Sequence, residues 1–590
     1  MTPRCIFDFP LADNGTRRLL AFGAPREVLR AERLDEVCAV LRAAEERARG
    51  GAWVAGCVGY DAAPAFDAAL RVPGRDATLP LAWFGVFNAP LPDFELPLFT
   101  GHSGPTSSWQ PSIDRPRFDA DIAGLRRHIE DGDAYQINHT LRLHAAFDGD
   151  ALAWFAALRA AQPDGYCAWL NLDAQQILSA SPELFFRRDG DVITTRPMKG
   201  TARRGRWAAE DRQLADWLHG SEKNRAENLM IVDLLRNDLS RIARPHSVTV
   251  SDMFTVERHP TVWQMTSTIR ATARPGTTLA DVFSALFPCG SVTGAPKAKA
   301  MELIARLETE PRGIYCGAIG LLQPGGDAVF NVAIRTVTLR EGRATCGVGG
   351  GITWDSTAGD EHAEAMLKAR FLDAAALPEA SPLFETLRLE DGAYWLLERH
   401  LARLAGSAEY FGYPFDAAGC RAELDALTSM HGQGLRRVRL TLAPDGAMTV
   451  DASDMPATPV QPLFALAQRP APREAIWLHH KTTQREFYDK ALAAGQASQP
   501  GLFDVLLWNE AGELTEFTRG NLVLVIDGVR QTPPLKCGLL DGVLRRELVD
   551  SGVLQERILT RADLTRAERI CFINSLRGEI EVRLANEVAL

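Results

Sequence analysis

An alanine-rich stretch, Asp373 to Pro382, divides this chain of 590 residues into two parts that each need a core of their own. It reads as a linker over 374–382, and the roughly 210 residues beyond it are enough to bury a separate core. In both parts, short apolar runs alternate with Gly and Pro. Trp53 to Tyr60 and Leu81 to Phe87 read as buried strands. Leu34 to Arg49, with Val37, Val40 and Leu41 at helical spacing, reads as an amphipathic helix. The expected class is α/β (α+β), with packed mixed and antiparallel sheets and helices.

Charge and cysteine usage exclude several functions. The formal net charge is −10 with no long basic run, which argues against a nucleic-acid partner. No apolar run is long enough to span a bilayer, and the ten cysteines are scattered without a CxxC pair. A reducing, cytoplasmic setting is the expectation.

Thr195 to Thr201 sets Lys199 between Pro197 and Gly200 after strand-like residues, so a short rigid turn is expected to carry the lysine. Such an amine is either a solvated charge or a desolvated nucleophile. Ser221 is a credible N-cap for a helix in which Glu227, Met230, Ile231 and Leu234 share one face. A carboxylate on that face needs a salt bridge or a cation. Ala328 to Val337 reads as one apolar strand interrupted by Arg335. Cys346 to Ile352 is either glycine backbone laid against an anion or a bulged strand. Glu361 and Glu364 share a helix face, with Lys368 placed to pair with Glu364. Together these make a coherent site for a small anionic substrate with a hard cation such as Mg²⁺.

Residues 117–373 resemble the chorismate-utilising enzymes. The resemblance rests on Ser181-Pro182-Glu183, Lys199-Gly200-Thr201, the helix Ala226 to Leu234, Gly294 to Lys297, Ala333 to Thr336 and the Glu361/Glu364/Lys368 helix. Residues 1–110 are similar to the N-terminal segment of the ammonia-using members. The resemblance implies Lys199 as nucleophile, Glu183 as acid, and Gln136, Ser291, Tyr315, Arg335, Gly347 and Gly349 around the substrate. It also implies Mg²⁺ held by Glu227, Glu361 and Glu364. Gln136 stands where water-using members carry a lysine base, and Lys199 stands where anthranilate synthases carry alanine. That combination points to the branch that aminates chorismate to aminodeoxychorismate. Gln264 stands where relatives often have histidine, and it cannot transfer a proton. No glutaminase motif occurs, so ammonia would come from a separate glutamine amidotransferase or from solution.

Residues 383–590 resemble the fold-type IV pyridoxal-phosphate enzymes, which have two subdomains and include aminodeoxychorismate lyase and the branched-chain and D-amino-acid aminotransferases. Here Ile476 to Leu478 reads as a strand leading through His479 and His480 to Lys481. The resemblance implies a Schiff base at Lys481 and Glu516 on the pyridinium nitrogen. Arg403 and the backbone of Val543 and Leu544 would take the phosphate, and a homodimer would form through this domain. The fusion favours a lyase that releases 4-aminobenzoate; the alternative is an aminodeoxychorismate or anthranilate synthase fused to an aminotransferase.

Overall fold

A computed structural model describes residues 3–11, 17–97, 104–259, 262–372, 381–430 and 433–585. The linker expected at 374–382 falls almost wholly outside the described residues. The chain forms two units: Met1–Arg203 with Ala215–Leu377, and Arg204–Leu214 with Pro378–Leu590.

The first unit is built on two large antiparallel sheets. One runs, among the described residues, through Gln136–Ala146, Arg343–Ile352, Thr336–Arg340, Gln176–Ser181, Tyr166–Asn171, Cys5–Pro10 and Arg17–Phe22. The other includes Met198–Arg203, Val262–Thr272, Val192–Arg196, Leu184–Asp189, Ala328–Val332, Ala318–Leu322 and Trp53–Val58. Phe7, Phe9, Tyr166, Ile177 and Leu184 pack with Ala55, Ile319 and Val329 into one apolar layer drawn from both sheets. Period-2 alternation explains why: Phe7 joins that layer, whereas Ile6 points to the other side, into a cluster with the helices Arg115–Glu130, Ala151–Ala160 and Lys297–Leu307. Leu34–Arg49, Glu222–Ser240 and Leu279–Leu286 cover the opposite sheet. Each fully buried Phe in such a layer contributes about 1.5–3 kcal/mol.

Three sequence expectations change here. The boundary expected near residue 110 divides nothing, because Cys5–Pro10 pairs with Tyr166–Asn171 and Trp53–Val58 pairs with Ala318–Leu322. Ala328 to Val337 is not one strand. Ala328–Val332 belongs to one sheet and Thr336–Arg340 to the other, and Arg335 turns the chain between them at φ 49°. Lys199 lies on no tight turn; it is inside the strand Met198–Arg203, where pairing with Val262–Thr272 slips between Met198 and Thr201. Gly200, at φ 94°, makes that bulge possible. The glycine-rich strand Arg343–Ile352, by contrast, pairs with Gln136–Ala146 in continuous register and carries no bulge.

The second unit has a four-stranded antiparallel sheet, Ala393–Tyr394, Leu383–Glu390, Leu435–Leu442 and Met448–Asp454, whose apolar face packs on the helices Leu397–Phe411 and Ala417–Met430. A larger mixed sheet includes Asp504–Trp508, Leu514–Phe517, Gly520–Ile526 and Arg569–Asn574. Ile476–Leu478 is a 3-10 turn and not the expected strand. This unit also takes in Arg204–Leu214, so it is not contiguous in sequence. Arg204 makes a buried two-pronged pair with Asp211 and donates to the Tyr410 carbonyl, and the Tyr410 hydroxyl donates to the Gly205 carbonyl at 2.8 Å. Trp207 packs on His479, and His480 Nε2 lies 3.1 Å from the Arg206 carbonyl.

Removing one partner of a buried ion pair strands the other charge, at a cost of about 3–5 kcal/mol. Both side chains of the Arg204–Asp211 pair are under a tenth exposed, at 7% and 6%. Arg204→Ala should therefore lower the unfolding midpoint of the second unit in differential scanning calorimetry and leave a separate transition of the first unit in place.

Candidate active sites

The first site forms where the chain changes sheets. Glu183 sits in the crossing from Gln176–Ser181 to Leu184–Asp189. That crossing is tied to the Val332–Thr336 crossing by the Val332 N–H donating to the Glu183 carbonyl at 3.0 Å and Ser181 Oγ donating to the Val332 carbonyl at 2.6 Å. Crossings leave side chains that neither sheet's core absorbs, so polar groups can point into the gap between strand ends. Glu183 is 3% exposed, and among the described residues its Oε1 has no hydrogen-bond partner. Burial pushes its carboxyl up to about 7, against the opposing pull of Ser291 and Lys199. Burial also lowers the Lys199 ammonium, assisted by the like charge of Lys368 and opposed by Glu227, Glu183 and Glu364. An acid raised to about neutrality thus shares a buried pocket with an amine whose hold on its proton is weakened.

Neighbouring glycines shape the floor of this site. A Cβ on Gly351 would come within 1.8 Å of Gln136 Nε2 and 3.1 Å of Lys199 Nζ. A Cβ on Gly350, on the opposite strand face, would lie 3.1 Å from Glu361 Oε2 and 3.7 Å from Lys368 Nζ. Gly347 faces the Tyr315 ring, and Gly349 faces the backbone of His139. The strand end can therefore bring backbone against a ligand, as its composition suggested. Gln136 is 2% exposed with Oε1 unpartnered, another polar atom left to a ligand. Gln264 Oε1 is likewise buried without a partner. Arg335 is half-buried, donates to Gln162 Oε1 at 2.6 Å, and is lowered by burial to about 10.

The three carboxylates behave differently. Glu227 lies half-buried at the edge of its helix, whose buried face is Asn228, Ile231, Val232 and Leu235. Burial raises both Glu227 and Glu361, whereas Lys368, 2.7 Å away, holds Glu364 down. Ser356 Oγ donates to Glu361 at 2.6 Å. Among the described residues no three His, Cys, Asp or Glu side chains gather closely enough to enclose a metal, so the expected three-carboxylate set is not assembled here. Glu227 and Glu361, hard oxygen donors with no ion-paired cation among the described residues, fit Mg²⁺ with substrate oxygens completing its shell.

Sequence reading missed the residues that hold Lys199. Asn228 Nδ2 donates to the Lys199 carbonyl at 3.4 Å, and Ser267 Oγ donates to Asn228 Oδ1 at 2.6 Å. The signal was a polar residue at a buried helical position, directly after Glu227.

The second site is a cavity of about 390 Å³ lined by Lys481, Arg403, Glu516, Asn521, Gly542 and Val543, among others. The Lys481 carbonyl accepts from the Phe384 N–H at 2.9 Å, which pins the lysine's backbone to the four-stranded sheet. Burial, then the nearby Arg403 charge, bring its amine down to about 7. Burial raises Glu516 to about 7; its Oε1 accepts from Tyr488 at 2.8 Å and from the Leu540 N–H at 3.1 Å, and Asn521 approaches Oε2 at 3.4 Å. Arg403 grips Glu385 through Nε and Nη2 and donates through Nη1 to the Asp541 carbonyl. Glu385, which sequence reading missed, also takes His400 Nδ1 at 2.7 Å; burial alone would raise it, but Arg403 and His400 hold it at about 2. The Leu544 side chain belongs to an apolar cluster with Val523 and Leu554, leaving its backbone, with Val543, at the start of the helix Val543–Asp550. A free amine, a carboxyl with one weakly held oxygen and a helix start beside an arginine fit pyridoxal phosphate.

Comparison with known proteins agrees with this division. Residues 95–374 match the chorismate binding enzyme model, and residues 382–585 match the class IV amino-transferase model, a class that implies pyridoxal phosphate. The chain belongs to the chorismate-binding enzyme family and carries a class IV aminotransferase-like domain. Within that family it is 37% identical over 343 residues to aminodeoxychorismate synthase component 1 of Salmonella typhimurium, covering 54% of this chain and 75% of that protein. It is 41% identical over 263 residues to the Escherichia coli protein of the same name, covering 45% of this chain and 58% of that one. The chain thus spans little more than half the length of the second relative. Anthranilate synthase component I from Streptococcus pneumoniae superposes with a TM-score of 0.52 at 27% identity, covering 63% of this chain and 90% of that one. The expected fold class holds. No helix among the described residues is long and apolar enough to cross a membrane.

The pH dependence of Glu183 follows from its environment. Its carboxyl is neutral in both folded and unfolded chains below its ordinary 4.5, and in the folded chain it stays neutral up to about 7. Stability therefore falls as pH rises between those values, and above them ionisation opposes folding by about 3 kcal/mol. Glu183→Gln should abolish turnover at the first site yet stabilise the ligand-free protein above pH 7, with the gain vanishing in acid. Denaturant titrations at several pH values read this out.

Proposed function

We propose that this chain makes 4-aminobenzoate for folate synthesis in two steps, aminating chorismate to aminodeoxychorismate in the first unit and eliminating pyruvate from it in the second. The observation that carries the first step is Lys199 and Glu183 in one buried pocket, where burial raises the acid to about 7 and lowers the amine. Lys199 attacks C2 of chorismate while Glu183 protonates the departing C4 hydroxyl; ammonia then adds at C4 and expels the lysine. Glu227 and Glu361 would hold Mg²⁺, which when bound supplies positive charge to the substrate carboxylate, with Glu364 kept on Lys368. Gln136, Ser291, Tyr315, Arg335, Gly347 and Gly349 orient the substrate. Gln136 has no basic nitrogen to activate water, which favours ammonia as the nucleophile. The relatives' designation as component 1 supports a separate glutamine amidotransferase as the ammonia source.

In the second unit Lys481, Arg403, Glu516 and the backbone of Val543 and Leu544 would hold pyridoxal phosphate, which when bound supplies the electron sink for elimination. Lys481, lowered to about 7, can both accept and return a proton near neutrality. A homodimer through this unit and a cytoplasmic location complete the proposal.

Product analysis tests it. With chorismate, ammonium, Mg²⁺ and pyridoxal phosphate, the purified protein should release 4-aminobenzoate and pyruvate. Lys199→Ala should lose amination by about 1,000-fold or more yet still convert supplied aminodeoxychorismate. Lys481→Ala should accumulate aminodeoxychorismate. Accumulation of that intermediate by the unaltered protein would leave an aminotransferase as the reading of the second unit, and an ortho-amino product would identify an anthranilate synthase.

A further inference from the structure

The second cavity is far more cationic than a cofactor phosphate requires. Seven of its lining side chains are Lys or Arg, against two acids, Asp489 and Glu516. Lys481 and Arg403 stand at the cofactor end. Arg519 is paired with Asp504 at 3.1 Å, and Arg485 donates to the Thr518 carbonyl and lies 3.9 Å from Asp489. That leaves Arg437, Arg439 and Arg577, none of which is ion-paired to a carboxylate among the described residues.

Their placement is ordered. Arg437 and Arg439 alternate with Val438 and Leu440 on the strand Leu435–Leu442; the two apolar residues face the helices, so both arginines project from the other face, into the cavity. The Arg439 guanidinium lies 4.3 Å from the centroid of the Phe384 ring, and Lys481 Nζ lies 4.6 Å from the same centroid. Arg439 and the reacting amine are therefore neighbours of one ring. Arg577 is held through Nη1 by neutral oxygens, the Pro456 carbonyl at 2.7 Å and Thr458 Oγ1 at 2.6 Å. Burial lowers Arg577, and the like charges of Arg519 and Arg437 lower it further. Crowded guanidinium groups in one cavity are costly unless an anion enters with them.

We propose that Arg439, together with Arg437 and Arg577, reads two separate carboxylates on an amine substrate and gives the second unit its preference for a dianion over a monocarboxylic amino acid. Arg439 takes the carboxylate closer to the amine, and Arg437 with Arg577 takes the distal one. The proposal leans on the lyase reading for the identity of the amine, but its charge requirement comes from the cavity. A monocarboxylic amino acid would leave part of the cluster uncompensated, and that penalty is the source of discrimination.

The test uses the full chain loaded with pyridoxal phosphate, with cofactor absorbance as a binding signal confined to this site. The probes are an aromatic ether diacid, bearing a benzoate and an enolpyruvyl carboxylate, and benzoate itself. The diacid should bind about 10- to 100-fold more tightly than benzoate, as expected for an added charged hydrogen-bonded contact. Arg437→Gln, Arg439→Gln and Arg577→Gln should each weaken the diacid about 10-fold or more, with the cofactor spectrum unchanged. The corresponding Arg→Lys variants, which keep the charge and guard against misfolding, should fall between. For supplied aminodeoxychorismate, the Gln variants should raise KM more than they lower kcat. Equal affinity of the unaltered protein for diacid and benzoate, or diacid binding indifferent to all three variants, overturns the proposal. Diacid selectivity without any turnover of aminodeoxychorismate would sustain it and count against the lyase reading alone.

Discussion

A lysine amine taken out of water loses its charge unless carboxylates compensate it, and both units are organised around that constraint. In the first, Lys199 is surrounded by Glu183, Glu227 and Glu364, yet the pocket is so poorly hydrated that Glu183 itself is raised to about 7. In the second, Lys481 and Glu516 are both brought to about 7 by burial, with Arg403 adding to the effect on the lysine. The two chemistries differ, but each starts from an amine and an acid whose proton affinities are drawn towards one another. That convergence requires a dry site, and a dry site requires rigid surroundings that supply the lost hydrogen bonds.

Those surroundings are made differently in the two units. Around Lys199 they come from strand ends: a bulge at Gly200, two crossings between sheets, and glycines that leave room for Gln136 and the lysine tip. Around Lys481 they come from a backbone bond to Phe384 and from Glu385, which locks Arg403 and His400. Arg204–Leu214, from the first half of the chain, packs against the histidines that precede Lys481. No single-segment view of the C-terminal half would include it.

Much of this was legible in the sequence. The motifs around Glu183, Lys199, Glu227 and Arg335 flagged residues that share one electrostatic neighbourhood or one sheet crossing, because chemistry-bearing side chains stand out against apolar strands. What failed was local geometry. Pro197 and Gly200 suggested a turn, but pairing to Val262–Thr272 continues past both. Ala328 to Val337 looked like one strand because its hydrophobicity is continuous across two sheets. The Asn228–Ser267 support of Lys199 joins residues far apart in the chain, and no local pattern links them.

The sequence by itself marked two catalytic parts, their α/β fold class and the lysines and carboxylates proposed for the chemistry, because residue type and periodicity are local properties. The tertiary structure decided that Arg204–Leu214 belongs to the second unit, that Lys199 sits on a bulged strand, and that three arginines without carboxylate partners among the described residues line the cavity beside Lys481. Those outcomes depend on strand pairing, desolvation and charge proximity between distant segments, and such quantities exist only once the chain has closed on itself.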